Sequence, residues 1–253
     1  MILTRRVALN GTQLDQIDQS IVIRSIDPGT PKETVQSVSK MGGFGQRITG
    51  RHWETIDVSV TYAIDIPKKR IADRRDVFDA VNAWAQAGGW LTVNYMAGRR
   101  LYADSVTVPS SEDLWNWTEE FTIIFRAYAV PFWQSDTQTT STSSTITVPG
   151  TAPTVCDAEI ENDSGSTIDT LSVQVGRSAM SFSDLGLADG ETLVISHAAN
   201  GTLSIRIRNG NTYRSAMDKR TGGSADDLYV NPGSNLITVS DGAHTVSCYG
   251  RWL

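Results

Sequence analysis

Apolar and polar residues alternate along much of the chain. Ile56, Val58, Val60, Tyr62 and Ile64 are separated by Asp57, Ser59, Thr61 and Ala63. This period of two predicts a half-buried strand. Phe121, Ile123, Phe125 and Ala127 repeat the pattern, and shorter candidate strands run over Ile21 to Ile26, Gln46 to Trp53, Leu91 to Tyr95 and Leu101 to Val108. One segment follows a period of 3.6 instead. In a helix from Pro67 to Ala87, Ile71, Phe78, Val81, Trp84 and Ala85 share one face, and Asp73, Arg74, Asp76 and Asp79 spread over the rest. Pro67 suits the first turn, where a missing N–H costs nothing, and Gly88-Gly89 supplies a left-handed stop. Such a helix must bury its stripe, and the sheet around it offers the cover.

The second half predicts strands without a helix. Leu171, Val173 and Val175 alternate with polar residues, and Asp189-Gly190 precedes Leu193 to His197. Asn200-Gly201 is a hairpin signal before Leu203, Ile205 and Ile207. Asn209-Gly210, Asn231-Pro232-Gly233 and Asp241-Gly242 punctuate the remainder. Short strands with frequent turns suggest a β-sandwich. Between the halves, Thr137 to Thr147 are almost entirely Thr and Ser, followed by Pro149-Gly150. The stretch reads as a break between two domains, 1–136 and 137–253, or as an edge strand, since Thr favours strands.

Composition narrows the function. In 253 residues, 40% are hydrophobic and 20% charged, as in a globular protein rather than a disordered one. The net charge of -6 argues against a general nucleic-acid binder. Positions 1–140 hold 15 basic and 16 acidic side chains, and positions 141–253 hold 7 and 12, so the acidity sits in the second half. No run of 18 apolar residues is present, so no membrane insertion is expected. Arg5 and Arg6 follow a short apolar stretch, the reverse of a signal peptide, so secretion by that route is not expected. Triplets beginning at Asn10, Asn116, Asn162 and Asn200 match a glycosylation pattern by chance.

Candidate chemistry is sparse. His52 and Glu54 in Arg51-His52-Trp53-Glu54 would share a strand face, a geometry open to a general base, but no Ser, Cys or metal-ligand partner sits at a diagnostic spacing and His52 reads as an ordinary half-buried strand histidine. Met41-Gly42-Gly43-Phe44-Gly45 lacks phosphate-loop spacing and reads as a turn. Cys156 shares parity with Ala158 and Ile160, and Cys248 with Val246 and Trp252, so both thiols point to an apolar face, as buried free thiols or as a bridge. Lys68-Lys69-Arg70 and Arg74-Arg75 interleave with Asp65, Asp73, Asp76 and Asp79, which predicts intrahelical ion pairs on a solvated face or a subunit contact. Six of seven Trp precede the Thr/Ser stretch, Trp115, Trp117 and Trp133 among them; they fit a core, interface anchors or sugar stacking. No catalytic, cofactor-binding or metal-binding residue is assigned, and no enzyme or cofactor is expected.

The order of these segments resembles the distal tail proteins of siphophages. It comprises Arg51-His52-Trp53-Glu54, the alternating strand, and the helix with Arg74-Arg75 and Trp84. Gly88-Gly89, Leu91-Thr92-Val93-Asn94, Arg99-Arg100-Leu101, Trp117-Thr118 and Pro131-Phe132-Trp133 follow. In the second half, Leu185, Leu187, Gly190-Glu191-Thr192-Leu193-Val194-Ile195 and Leu228-Tyr229-Val230-Asn231-Pro232-Gly233-Ser234-Asn235 are similar to the family's second domain. The resemblance covers nearly the whole chain through order and spacing. It implies a mainly β protein: a tail-tube-like β-sandwich with one flanking α-helix over 1–136, and a galectin-like β-sandwich over 137–253. It also implies a homo-hexameric ring in the virion, at the distal end of the phage tail, assembled in the host cytoplasm. The ring would join the tail tube protein to a tip or baseplate hub protein and to receptor-binding proteins. DNA would pass through its lumen without specific binding. The alternative is a carbohydrate-binding β-sandwich for cell-surface adhesion; a mass measurement separates a hexamer from a glycan-binding monomer.

Overall fold

The computed structural model describes residues 5–39, 46–67, 70–112 and 120–253. The chain is mainly β, with the α-helix Ile71–Gln86 described in full, and divides into two compact units, Met1–Trp133 and Gln134–Leu253.

In the first unit one sheet runs in the order Ile21–Asp27, Ile56–Ile64, Glu120–Ala127, Ser105–Thr107. A second runs Thr12–Gln13, Val7–Leu9, Gly89–Val93, Arg99–Ala103. The period-two pattern decides which side chains go inside: Ile56, Val58, Val60 and Tyr62 are buried, as are Phe121, Ile123 and Phe125, together with Leu91, Val93 and Leu101 of the second sheet. The helix spans Ile71–Gln86 and lies against Ile56–Ile64 and Ser105–Thr107. Phe78 meets Phe121 edge-on with ring centroids 5.2 Å apart. Gly88 and Gly89, at φ of 59° and 105°, end the helix as expected. The Asn10 side chain then holds the exit, donating to the Gly88 carbonyl at 2.8 Å and accepting the Trp90 N–H at 2.9 Å.

Three expectations change here. The helix begins at Ile71, four residues after Pro67. Its inner face is Arg74, Val77, Phe78, Val81 and Ala85, whereas Trp84 is half-buried, edge-on to Phe125 at 5.9 Å with its Nε1 donating to Thr12 O. Arg74 therefore leaves the solvated face. Its Nη1 donates to the carbonyls of Ile64 and Ile66, both at 3.0 Å, so the buried charge is hydrogen-bonded and clasps the end of the Ile56–Ile64 strand. The neighbouring charges behave as expected, with Arg70 paired to Asp73 and Arg75 to Asp79. Finally, the run Leu101 to Val108 is two strands in different sheets. The chain changes sheet at Asp104, whose Oδ2 accepts the N–H groups of Tyr128 and Ala129.

The second unit is a β-sandwich. One sheet runs Thr139–Ser141, Ala243–Cys248, Thr154–Glu161, Thr192–His197, Leu203–Asn209, Thr212–Ser215. The other runs Thr145–Val148, Gly233–Val239, Leu171–Val175, Ser178–Phe182. Between them lie Ile160, Val173, Met180, Leu187, Ile195, Ile205 and Val246. The Thr/Ser stretch is strand, one short strand in each sheet, with the crossing held by Ser141 Oγ donating to Thr145 O at 2.6 Å. The Asp189-Gly190 turn is braced by Glu191, which accepts from Ala188 N, Arg214 Nη2 and Asn209 Nδ2. Burial pushes the Glu191 carboxyl up, but these three donors outweigh it and hold it below the usual range. Asn162 is fully buried, donating to Ser166 O and Leu187 O, so its sugar-acceptor pattern is indeed accidental.

Truncating Phe78 to Ala should cost about 3–5 kcal/mol, the range for a buried ring, and the half-buried Trp84→Ala clearly less. Urea unfolding of both variants checks the order. The segment Gln134–Leu253, with its own two sheets and core, should express as a soluble fragment with one cooperative melt; an aggregated fragment would argue against independent folding.

Candidate functional site

Two features stand apart from the cores. The first is a hairpin arm made by Glu33–Ser39 and Gln46–Trp53, a two-stranded sheet of its own. The pairing runs from Glu33 opposite Trp53 to Ser39 opposite Gln46, with a bulge between Gln36 and Ser37. Glu33–Ser39 escaped the sequence reading because Glu33-Thr34-Val35-Gln36-Ser37-Val38-Ser39 carries only two apolar side chains. At its base Trp53 packs edge-on to Phe132 with centroids 5.1 Å apart, and Thr34 Oγ1 bonds to Glu54. Beyond the base both faces are open. Val35, Val38 and Ile48 are 44%, 52% and 50% exposed. A lone two-stranded ribbon is marginal in water, and its edges are free to pair.

The second feature is a charged cluster in the second unit. His197 ends the Thr192–His197 strand with its side chain only 7% exposed. Its Nδ1 faces Asp157 Oδ1 at 2.7 Å and its Nε2 faces Asp227 Oδ1 at 2.8 Å. Asp157 Oδ1 also accepts the His197 main-chain N–H, and Asp227 Oδ1 that of Leu228. With a carboxylate at each ring nitrogen, both must donate, so the ring is an imidazolium. Burial pulls its pKa down, but the two hydrogen bonds and the two negative charges outweigh this and raise it to about 9. An imidazolium with both N–H groups donated has no lone pair for a proton, so His197 is not a general base. Nearby, burial pushes the Arg251 guanidinium down against the attraction of Asp227. Nothing in the sequence pointed to His197, because its partners lie 40 and 30 positions away.

The residues singled out in the sequence disperse. His52 is exposed on the arm opposite Thr34, and Glu54 is engaged by Thr34. Met41 to Gly45, Lys68, Lys69, Trp115 and Trp117 lie outside the described residues. Trp133 is core, with Nε1 donating to Pro28 O at 3.1 Å. Trp90 sits edge-on to Tyr102 beneath the Arg100 guanidinium. Cys156 and Cys248 are buried free thiols; the parity with Trp252 fails, because Ala243–Cys248 ends before the separate Arg251–Trp252 strand. A groove of about 340 Å³ on the second unit is lined by Glu159, Glu161, Thr192, Arg208, His244 and Thr245 among others, none of the described lining residues being Phe, Tyr or Trp. Arg208 is paired there with Glu159 at 2.9 Å. A sugar platform normally presents a ring face.

No protein-family model matches the chain, and neither does any curated protein. Among solved structures the fold is shared with the SPP1 Dit (gp 19.1) protein, described as a paradigm of the hub adsorption apparatus in phages infecting Gram-positive bacteria. The two are 12% identical with a TM-score of 0.69, over 98% of this chain and 99% of that one. The mainly β, two-part fold expected from segment order is thus the fold of a phage Dit protein. A chain of the phage P2 baseplate in its activated conformation with Ca also aligns, at 8% identity and a TM-score of 0.47 over 98% of each chain.

The raised pKa of His197 fixes the sign of a pH effect. Its ordinary value is 6.5 and its folded value about 9. The stabilisation is therefore complete below about pH 6.5 and is lost as pH rises through about 9, amounting to roughly 3 kcal/mol. His197→Gln should lower stability at neutral pH and remove this alkaline slope, as read by urea unfolding at graded pH.

Proposed function

We propose that this chain is a structural, non-enzymatic protein of a siphophage tail tip. Six copies close into a ring at the distal end of the tail, between the tail tube protein above and the tip or baseplate hub below. Receptor-binding proteins attach around it, and DNA passes through the lumen without specific contacts. Residues 1–136 build the ring, and 137–253 form the outward domain. The protein resides in the virion after assembly in the host cytoplasm.

The observation that carries this reading is the open hairpin arm, on a fold shared end to end with a Dit protein. A closed ring needs heterologous contacts, in which one patch meets a different patch on the next copy. An arm whose strands, among the described residues, pair with each other alone, with Val35, Val38 and Ile48 exposed, supplies one half of such a contact. A net charge of -6 suits a conduit that must not hold phosphates. The carbohydrate-binding alternative gains no support from the polar groove, which has no Phe, Tyr or Trp among its described lining residues.

Light scattering on the purified protein should give a mass near six times 27.6 kDa, with annular particles in negative stain. The double substitution Val38→Asp with Ile48→Asp should abolish the ring and leave the core melt within about 2 °C, since surface changes rarely exceed ~0.5 kcal/mol. A wild-type monomer at every concentration would overturn the ring, and a hexamer indifferent to the arm substitutions would place its interface elsewhere.

A further inference from the structure

Cys156 and Cys248 are direct cross-strand partners between Thr154–Glu161 and Ala243–Cys248. The Cys156 N–H donates to Leu228 O at 3.0 Å, on the side away from Cys248. A residue in an antiparallel ladder turns its N–H and C=O to the same side, so these two cysteines form a non-hydrogen-bonded pair. That is the closer kind, with Cα atoms about 4.5 Å apart, within the ~4.4–6.8 Å that a disulfide spans. Both side chains are buried in the core, at 0% and 1% exposure. Both are free.

We propose that Cys156 and Cys248 are a redox-operated staple, a dithiol in a reducing compartment that closes to a disulfide by exchange with a low-molecular-weight disulfide in an oxidising one. The inference does not depend on the tail-tip reading. The thiolate of one cysteine attacks one sulfur of the small disulfide, forming a mixed disulfide and expelling one thiolate. The other cysteine, giving up its proton, then attacks that protein sulfur and expels the second. The protein loses two electrons and two protons, and the small disulfide becomes two thiols.

Access comes from the edge. Ala243–Cys248 is covered on its outer side by the three-residue strand Thr139–Ser141, which pairs Thr139 with Cys248. Opening so short an edge strand is a local event well below global unfolding. Once closed, the bond ties the strand near the start of the second unit to the one near its end. It removes the freedom of a loop of about 90 residues from the unfolded chain, which for a unit of this size raises Tm by roughly 10 °C.

The test uses the full-length chain, refolded from denaturant in glutathione buffers graded from reduced to oxidised, so that burial cannot block exchange. Alkylation, intact mass and peptide mapping then read the thiols. The expected result is a Cys156–Cys248 disulfide, two hydrogens lighter, accumulating as the buffer is oxidised. Tm should rise by roughly 10 °C and fall back with dithiothreitol. The Cys156→Ser, Cys248→Ser double variant should show no redox-dependent Tm. Glutathione adducts, disulfides between chains, a dithiol surviving in fully oxidised buffer, or a disulfide that lowers Tm would each overturn the proposal.

Discussion

The first unit depends on the register between Ile56–Ile64 and Glu120–Ala127. Eight residue pairs, from Ala63 opposite Glu120 to Ile56 opposite Ala127, place two apolar rows on one face. A slip by a single position would send Phe121, Ile123 and Phe125 to solvent and bring Thr122 and Arg126 inside. Everything else in the unit answers to that face. Phe78 of the helix rests on Phe121, the second sheet adds Leu91 and Leu101 to the same core, and Arg74 grips the carbonyls where the strand ends.

The second unit solves a different problem with the same alternation. Its inward rows are mostly aliphatic, but Asp157, His197 and Asp227 are also taken largely out of water. Such a group is tolerable because each charge has a partner at hydrogen-bond distance, and the cost of removing one is the charge left behind. The cluster borders Cys156 and Cys248, so the dithiol sits in the field of two carboxylates and one guanidinium.

The arm inverts this logic. Glu33–Ser39 and Gln46–Trp53 satisfy each other's main-chain groups but give their apolar side chains nothing to cover. At its base Trp53 rests edge-on against the buried Phe132. A two-stranded ribbon that is well paired yet uncovered gains little from burial.

Strand type was determined by the sequence wherever one face alone is buried. Ile56–Ile64 and the Cys156, Ala158, Ile160 row announce themselves because period two maps directly onto inside and outside. The helix was equally plain from its stripe and the Gly88-Gly89 stop, and the order of segments along the chain was enough to suggest the Dit fold. What only the tertiary structure decided are the contacts between residues far apart in sequence. Arg74 looked like one more charge on a solvated helix until Ile64 and Ile66 offered it two carbonyls. Leu101 to Val108 looked like one strand until Asp104 found the N–H groups of Tyr128 and Ala129. His197 carried no signal at all, since its charge state is set by two carboxylates that adjoin it only after the sheet has formed. Local patterning reports which side of a strand is dry, because burial repeats with the backbone. It is silent on which polar group meets which, because that depends on how separate strands are brought together.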